Sequence, residues 1–119
     1  MAQHNDLGEK GEQLAIEYLQ KKGYVIVEKN YRFKKAEVDI IAKKSDTLIV
    51  VEVKTRSSSY FGNPQDFVNP KKIKLLVYAM NHYVHQKNID LEIRFDIIGI
   101  LQTNNTFKIE HIEDAFLYF

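Results

Sequence analysis

Residues 36–56 read AEVDIIAKKSDTLIVVEVKTR, two apolar runs around a short polar break, each with an acid where a core residue is expected. A turn centred on Ser45 and Asp46 would pair Lys44 with Thr47, Ala42 with Ile49, Ile40 with Val51, and Asp39 with Glu52. Strict alternation then places Glu37, Asp39, Glu52 and Lys54 on one face of the hairpin, and Val38, Ile40, Val51 and Val53 on the other. Opposed residues have Cβ atoms about 4.5 to 5.5 Å apart, so Asp39 against Glu52 repels unless one acid takes up a proton or a cation sits between them. A hard divalent ion such as Mg²⁺ takes one or two carboxylates together with waters and substrate phosphates. Lys54 would stand beside it, where negative charge develops during attack on a phosphodiester. A plain cross-strand ion pair of Lys54 with Glu37 or Asp39 accounts for the same residues without any chemistry.

The elements that must position this cluster are legible from pattern. The spacing predicts a helix from about Leu7 to Lys22, with Asp6 as its cap, Glu9 completing a capping box and Gly23 as its stop. Leu7, Gly11, Ala15, Ile16, Tyr18 and Leu19 share one arc of this helix, and Glu12 falls inside that arc. Glu12 is therefore aimed at the core side, either snorkelling out or pairing with a lysine, or serving a site that needs a third acid. Strands follow at 24–30, at Glu37 to Lys43 and at Leu48 to Thr55. Asn69 and Pro70 open a second helix whose Ile73, Leu76, Val77, Met80, Tyr83 and Val84 recur at helical spacing. Strands LEIRFDIIGIL and FKIEH come after it. The expected architecture is α/β, ordered α-β-β-β-α-β with an extra strand, built on a mixed central sheet flanked by helices.

The chain has 119 residues, 45% of them hydrophobic, with no cysteine, and reads as one domain over residues 1–119 with no repeat or linker. Without cysteine, disulfides, thiolate metal sites and thiol nucleophiles are excluded. The opening MAQHNDLGEKGEQL has no signal-peptide run and no segment approaches a membrane span, so a cytoplasmic protein with no membrane partner is expected. The net charge of +1 conceals an asymmetry: residues 21–74 hold 13 Lys and Arg against 6 Asp and Glu, the rest 4 against 10. That basic middle reads equally as a phosphate-attracting field or as solvated lysines. Residues 57–70, SSSYFGNPQDFVNP, lack periodicity and read as a loop. His82 and His85 fall on the second helix while His4 and His111 are isolated, so they read as surface or partly buried rather than as metal ligands. The glycines make no phosphate-cradling loop. Tyr18, Tyr78, Tyr83, Phe116, Tyr118 and Phe119 read as core or interface rather than as base-stacking platforms.

Asp39 with Glu52-Val53-Lys54, in this order of elements, resembles the PD-(D/E)xK nuclease superfamily and its restriction-endonuclease-like fold. More closely, the chain resembles the YraN family of small bacterial proteins, which is similar to archaeal Holliday junction resolvases. The match runs nearly end to end: GEQLAIEYL with Glu12, NYR with Arg32, EVDIIA with Glu37 and Asp39, VVEVKTR with Glu52, Lys54 and Arg56, then Gly62, Pro64, Val68, Pro70 and Lys72, and RFDIIGI with Asp96. Ala36 departs from the glycine usual before the first acid. The resemblance implies a nuclease site using Mg²⁺ or Mn²⁺, with Asp39, Glu52 and the Val53 carbonyl as ligands and Lys54 orienting or activating water. It implies that Glu12 completes the acidic cluster, and that Arg32, Arg56 and Lys72 contact nucleic-acid phosphates. The implied activity is that of an endonuclease on branched or structured DNA. A resolvase-like reaction needs two sites, hence a homodimer, to which the apolar AFLYF terminus would contribute unless it closes the core. The alternative is a nucleic-acid-binding or protein-interaction module with a vestigial acidic site.

Overall fold

Helix α1 spans Asp6–Lys21 and ends where Gly23 adopts a left-handed φ of +93°. The Tyr24 N–H donates to the Leu19 carbonyl (2.9 Å) and the Gly23 N–H to that of Gln20 (3.0 Å), which satisfies the last turn and delivers Tyr24 to the core. Residues 6–57 and 68–115 are described in this computed structural model. Most of the expected loop at 57–70, with Gly62 and Pro64, lies outside the described residues, as do His4, Phe116, Tyr118 and Phe119. The remaining elements are β1 (Val25–Phe33), β2 (Ala36–Lys44), β3 (Thr47–Arg56), α2 (Pro70–Gln86), β4 (Glu92–Thr103) and β5 (Thr106–Ile112).

The five strands form one sheet in the order β1-β2-β3-β4-β5. Strands β3 and β4, joined through α2, run parallel, and every other neighbouring pair is antiparallel, giving the mixed sheet expected. Along β3, Leu48 and Val50 pack with Leu76, Ala79, Met80 and Tyr83 of α2, while Ile49 and Val51 pack with Ala15 and Leu19 of α1. Successive side chains on a strand point to opposite faces, so the two helices cover opposite faces of the sheet. Helix α2 starts as read: the Asn69 side chain accepts from the Lys72 N–H at 2.8 Å and Pro70 occupies the first turn. Strand β1 runs further than the expected 24–30, because Tyr31, Arg32 and Phe33 continue pairing with Val38, Glu37 and Ala36.

The hairpin register also matches, with Lys44 opposite Thr47, Ala42 opposite Ile49 and Ile40 opposite Val51, and there the ladder stops. Beyond it, among the described residues, 36–38 of β2 pair with β1 and 52–56 of β3 with β4, so the sheet forks between its second and third strands. Two expectations fail at this fork. The ladder does not extend to pair Asp39 with Glu52. Nor do Val38 and Ile40 share a face: Val38 packs on the α2 side and Ile40 on the α1 side. Strict alternation breaks beside Asn30, which sits across from this step in β1 and takes a left-handed φ of +55°.

Candidate active site

At the fork Asp39 lies in the plane of the sheet. Its Oδ2 accepts the Val53 N–H at 2.8 Å, filling with a side chain the place of the next ladder bond. Burial raises its pKa and Glu37 adds to the rise, while the Val53 N–H, Lys72 and Lys54 act against it. Because N–H and C=O of one strand residue leave the same edge, the Val53 carbonyl faces this gap as well.

Glu52 is only 5% exposed. Alternation along β3 sends it to the α2 face, where Lys72 Nζ meets its Oε1 at 2.8 Å. Its Oε2 is buried with no hydrogen-bond partner. Burial, then the charge of Asp39, push the Glu52 carboxyl up to about 7 against the contacts of Lys72 and the Asp39 N–H. Lys54, half-buried, leaves the same face two residues on, and its charge acts on Asp39.

Glu12 reaches the fork from the other face. Its pKa is raised by partial burial and by the charges of Asp39 and Glu37, with a hydrogen bond from the Asn30 side chain pulling it back. A local contact sets this approach: a Cβ on Gly11 would fall on Thr55 Oγ1 and stand 2.9 Å from Thr55 Cβ, so α1 lies this close to β3 because residue 11 has no side chain. The structure thus brings together Glu12, Asp39, Glu52, Lys54 and Lys72. Arg32 stands at the rim, its side chain 76% exposed and 3.6 Å from Glu37. Arg56 is exposed at the end of β3, four residues past Glu52 and so roughly 13 Å along the strand. Beside Lys72 a cavity of about 270 Å³ opens among Lys35, Glu37, Asn69, Lys71 and Leu75.

Among the described residues no group of three or more His, Cys, Asp or Glu side chains is placed to hold a metal ion. Two neighbouring carboxylates, one with an orphaned buried oxygen, nevertheless fit Mg²⁺ or Mn²⁺, which keep several waters and need no all-protein cage.

A second buried polar cluster was not foreseen. Asp96, 0% exposed, accepts from Arg94 Nε (2.9 Å) and Nη2 (2.8 Å) and from the Asp114 N–H (3.0 Å), and its Oδ2 lies 2.7 Å from His111 Nε2. Arg94 also donates to Tyr24 Oη, and Tyr18 Oη lies 3.2 Å from His111 Nδ1. Burial alone would raise the Asp96 pKa, but the hydrogen bonds from His111, Arg94 and the Asp114 N–H hold it below its ordinary value. His111 is partly buried, as read, and is a partner of an acid. The sequence signal was RFD, which places Arg94 and Asp96 on one face of a strand at i, i+2. Tyr83 is core, as read, and Tyr18 is half-buried, whereas Tyr78 is 52% exposed and leans on Phe33 with ring centroids 5.3 Å apart.

Fold and site together define a mixed α/β domain with two helices on a five-stranded sheet and an acidic cluster at a fork between strands. The chain belongs to the uncharacterised protein family UPF0102, whose model matches residues 11–100. This is the YraN group that its motifs resemble. It is similar to the UPF0102 protein of Christiangramia forsetii, 63% identical over 119 residues and all of both chains. It is 62% identical to that of Flavobacterium psychrophilum over 119 residues, again all of both chains. With the UPF0102 protein of Parabacteroides distasonis it shares 49% identity over 116 residues, covering 98% of this chain and 96% of that one.

Proposed function

We propose that this chain is a Mg²⁺- or Mn²⁺-dependent endonuclease of the PD-(D/E)xK superfamily, with a restriction-endonuclease-like fold, hydrolysing phosphodiester bonds in branched or structured DNA. The observation that carries the reading is Glu52, a core carboxylate beside Asp39 with one oxygen on Lys72 and the other buried and unpartnered. An apolar residue there would stabilise the core, so the acid's cost speaks for a ligand.

Asp39, Glu52 and the Val53 carbonyl would hold the ion, which when bound supplies Lewis acidity toward a phosphoryl oxygen and lowers the pKa of water. The Val53 N–H fixes Asp39 without a rotamer search. Lys54 places positive charge beside Asp39, where the pentacoordinate phosphorus gathers negative charge, and orients the attacking water. Glu12 completes the acidic cluster from α1. Arg32 and Arg56 extend the basic surface outward for neighbouring phosphates, and Lys72 borders the cavity on the α2 side. A homodimer acting in the cytoplasm would give the paired cuts that a branched substrate needs.

The test is a cleavage panel of linear duplex, single-stranded, flapped and four-way-junction DNA with Mg²⁺, Mn²⁺ or EDTA, run with Lys54→Ala and Glu52→Ala proteins alongside. Metal-dependent cutting abolished in both variants is expected. Binding without cutting on every substrate would instead make this a nucleic-acid-binding module with a vestigial site.

A further inference from the structure

We infer that Lys72 is a tethered cation that occupies the acidic site until a divalent ion displaces it, and that the displaced ammonium turns into the adjoining cavity to bind a backbone phosphate. The inference rests on the nuclease reading and adds a coupling between metal and substrate to it.

Glu52 is held rigidly, its side chain 7% exposed, whereas that of Lys72 is 45% exposed. Of the two partners the lysine is the one that can leave. Its ammonium satisfies Oε1 while Oε2, buried, has no partner, so the single cation covers half of a carboxylate whose other half awaits one. An ammonium and a divalent ion a few ångströms apart in this gap would repel strongly. Lys72 has somewhere to go: it lines the cavity of about 270 Å³ together with Lys35, Glu37, Lys71, Asn69 and Leu75. Three lysines against the single acid Glu37 leave the opening with an excess of positive charge, which makes a phosphate the fitting ligand. The Lys72 N–H of the helix start is already taken by Asn69, so the ammonium groups carry this binding. Metal and phosphate then promote each other's binding, because each favours the same lysine position.

The experiment titrates Mn²⁺ calorimetrically into the full chain without nucleic acid, at about pH 8 so that protons compete little for the carboxylates. Lys72→Met should bind Mn²⁺ roughly tenfold more tightly than the unaltered protein, the worth of one charge-assisted contact removed from competition. Lys71→Met removes the same charge from the same helix turn and should change the affinity by less than about twofold. Duplex DNA binding strengthened by Ca²⁺ in the unaltered protein should lose most of that enhancement in Lys72→Met. Equal or weaker Mn²⁺ binding by Lys72→Met, or an equal gain in Lys71→Met, overturns the exchange and leaves the nuclease reading intact. No Mn²⁺ binding by either protein sinks that reading and the exchange with it. A Lys72→Met protein that folds only with Mn²⁺ supports the exchange; one that folds in neither condition makes the lysine a structural counter-ion and refutes it.

Discussion

Replacing Glu52 by Gln should stabilise the metal-free protein at alkaline pH and leave it nearly unchanged in acid. Burial and Asp39 lift the Glu52 carboxyl from its ordinary 4.5 to about 7 in the folded chain. The native state therefore holds a proton that the unfolded state releases. As pH rises through that window, the native state must ionise a group that its surroundings disfavour, and stability falls. Each pKa unit corresponds to about 1.36 kcal/mol, so the fall amounts to about 3 kcal/mol. Gln mimics the protonated acid and does not titrate. The stability difference between Glu52→Gln and the unaltered protein should thus widen by about 3 kcal/mol between about pH 4.5 and about pH 8.5, a shift in Tm of about 10 °C at the alkaline end. Urea unfolding followed by far-UV circular dichroism in EDTA at several pH values measures it. A difference constant with pH, or one that favours the unaltered protein as pH rises, would refute the argument that Glu52 is a destabilised core carboxylate.

Two further perturbations probe what holds the site. Gly11→Ala, ordinarily a gain in a helix, should here cost about 1 to 3 kcal/mol in chemical denaturation, because the new methyl runs into both Oγ1 and Cβ of Thr55 and α1 must move off β3. Asp96→Asn should cost about 3 to 5 kcal/mol at neutral pH, since Arg94 and His111 lose a buried charged acceptor. The Asp96 pKa is depressed in the folded state, so its stabilisation is present above the ordinary carboxylate range and is lost as pH falls through the folded value. The penalty of Asp96→Asn should accordingly shrink on acidification, which the same unfolding series detects.

The hairpin shows how far reading by pattern reaches. Ser45 at φ +56° in a tight turn set the register, and that register carried Asp39 and Glu52 to neighbouring strands. Glu12 was placed on the core side by periodicity, and it lies there within the field of Asp39. What failed was the assumption that alternation persists along β2. The chain changes face between Val38 and Ile40, across from a left-handed Asn30, and asparagine is too common in turns and loops for its presence in YVIVEKN to announce a kink. The Asp96 cluster escaped for a different reason. Its members at 18, 24, 94, 96 and 111 are joined by the pairing of β4 with β5 and by the seating of α1. Apart from Arg94 and Asp96, two residues apart on one strand, such tertiary adjacency leaves no mark in local spacing.

In the fork, one rung of the sheet is a carboxylate in place of a backbone carbonyl. Backbone rungs are indifferent to what the solvent contains, whereas this one weakens whenever a proton or an ion draws Asp39 away. The Val53 amide is consequently a natural reporter: its rate of exchange with deuterium registers the state of the acidic pair directly, with no label and no substrate. An ion or proton taken up at Asp39 would therefore act on the contact between the two strands of the hairpin itself.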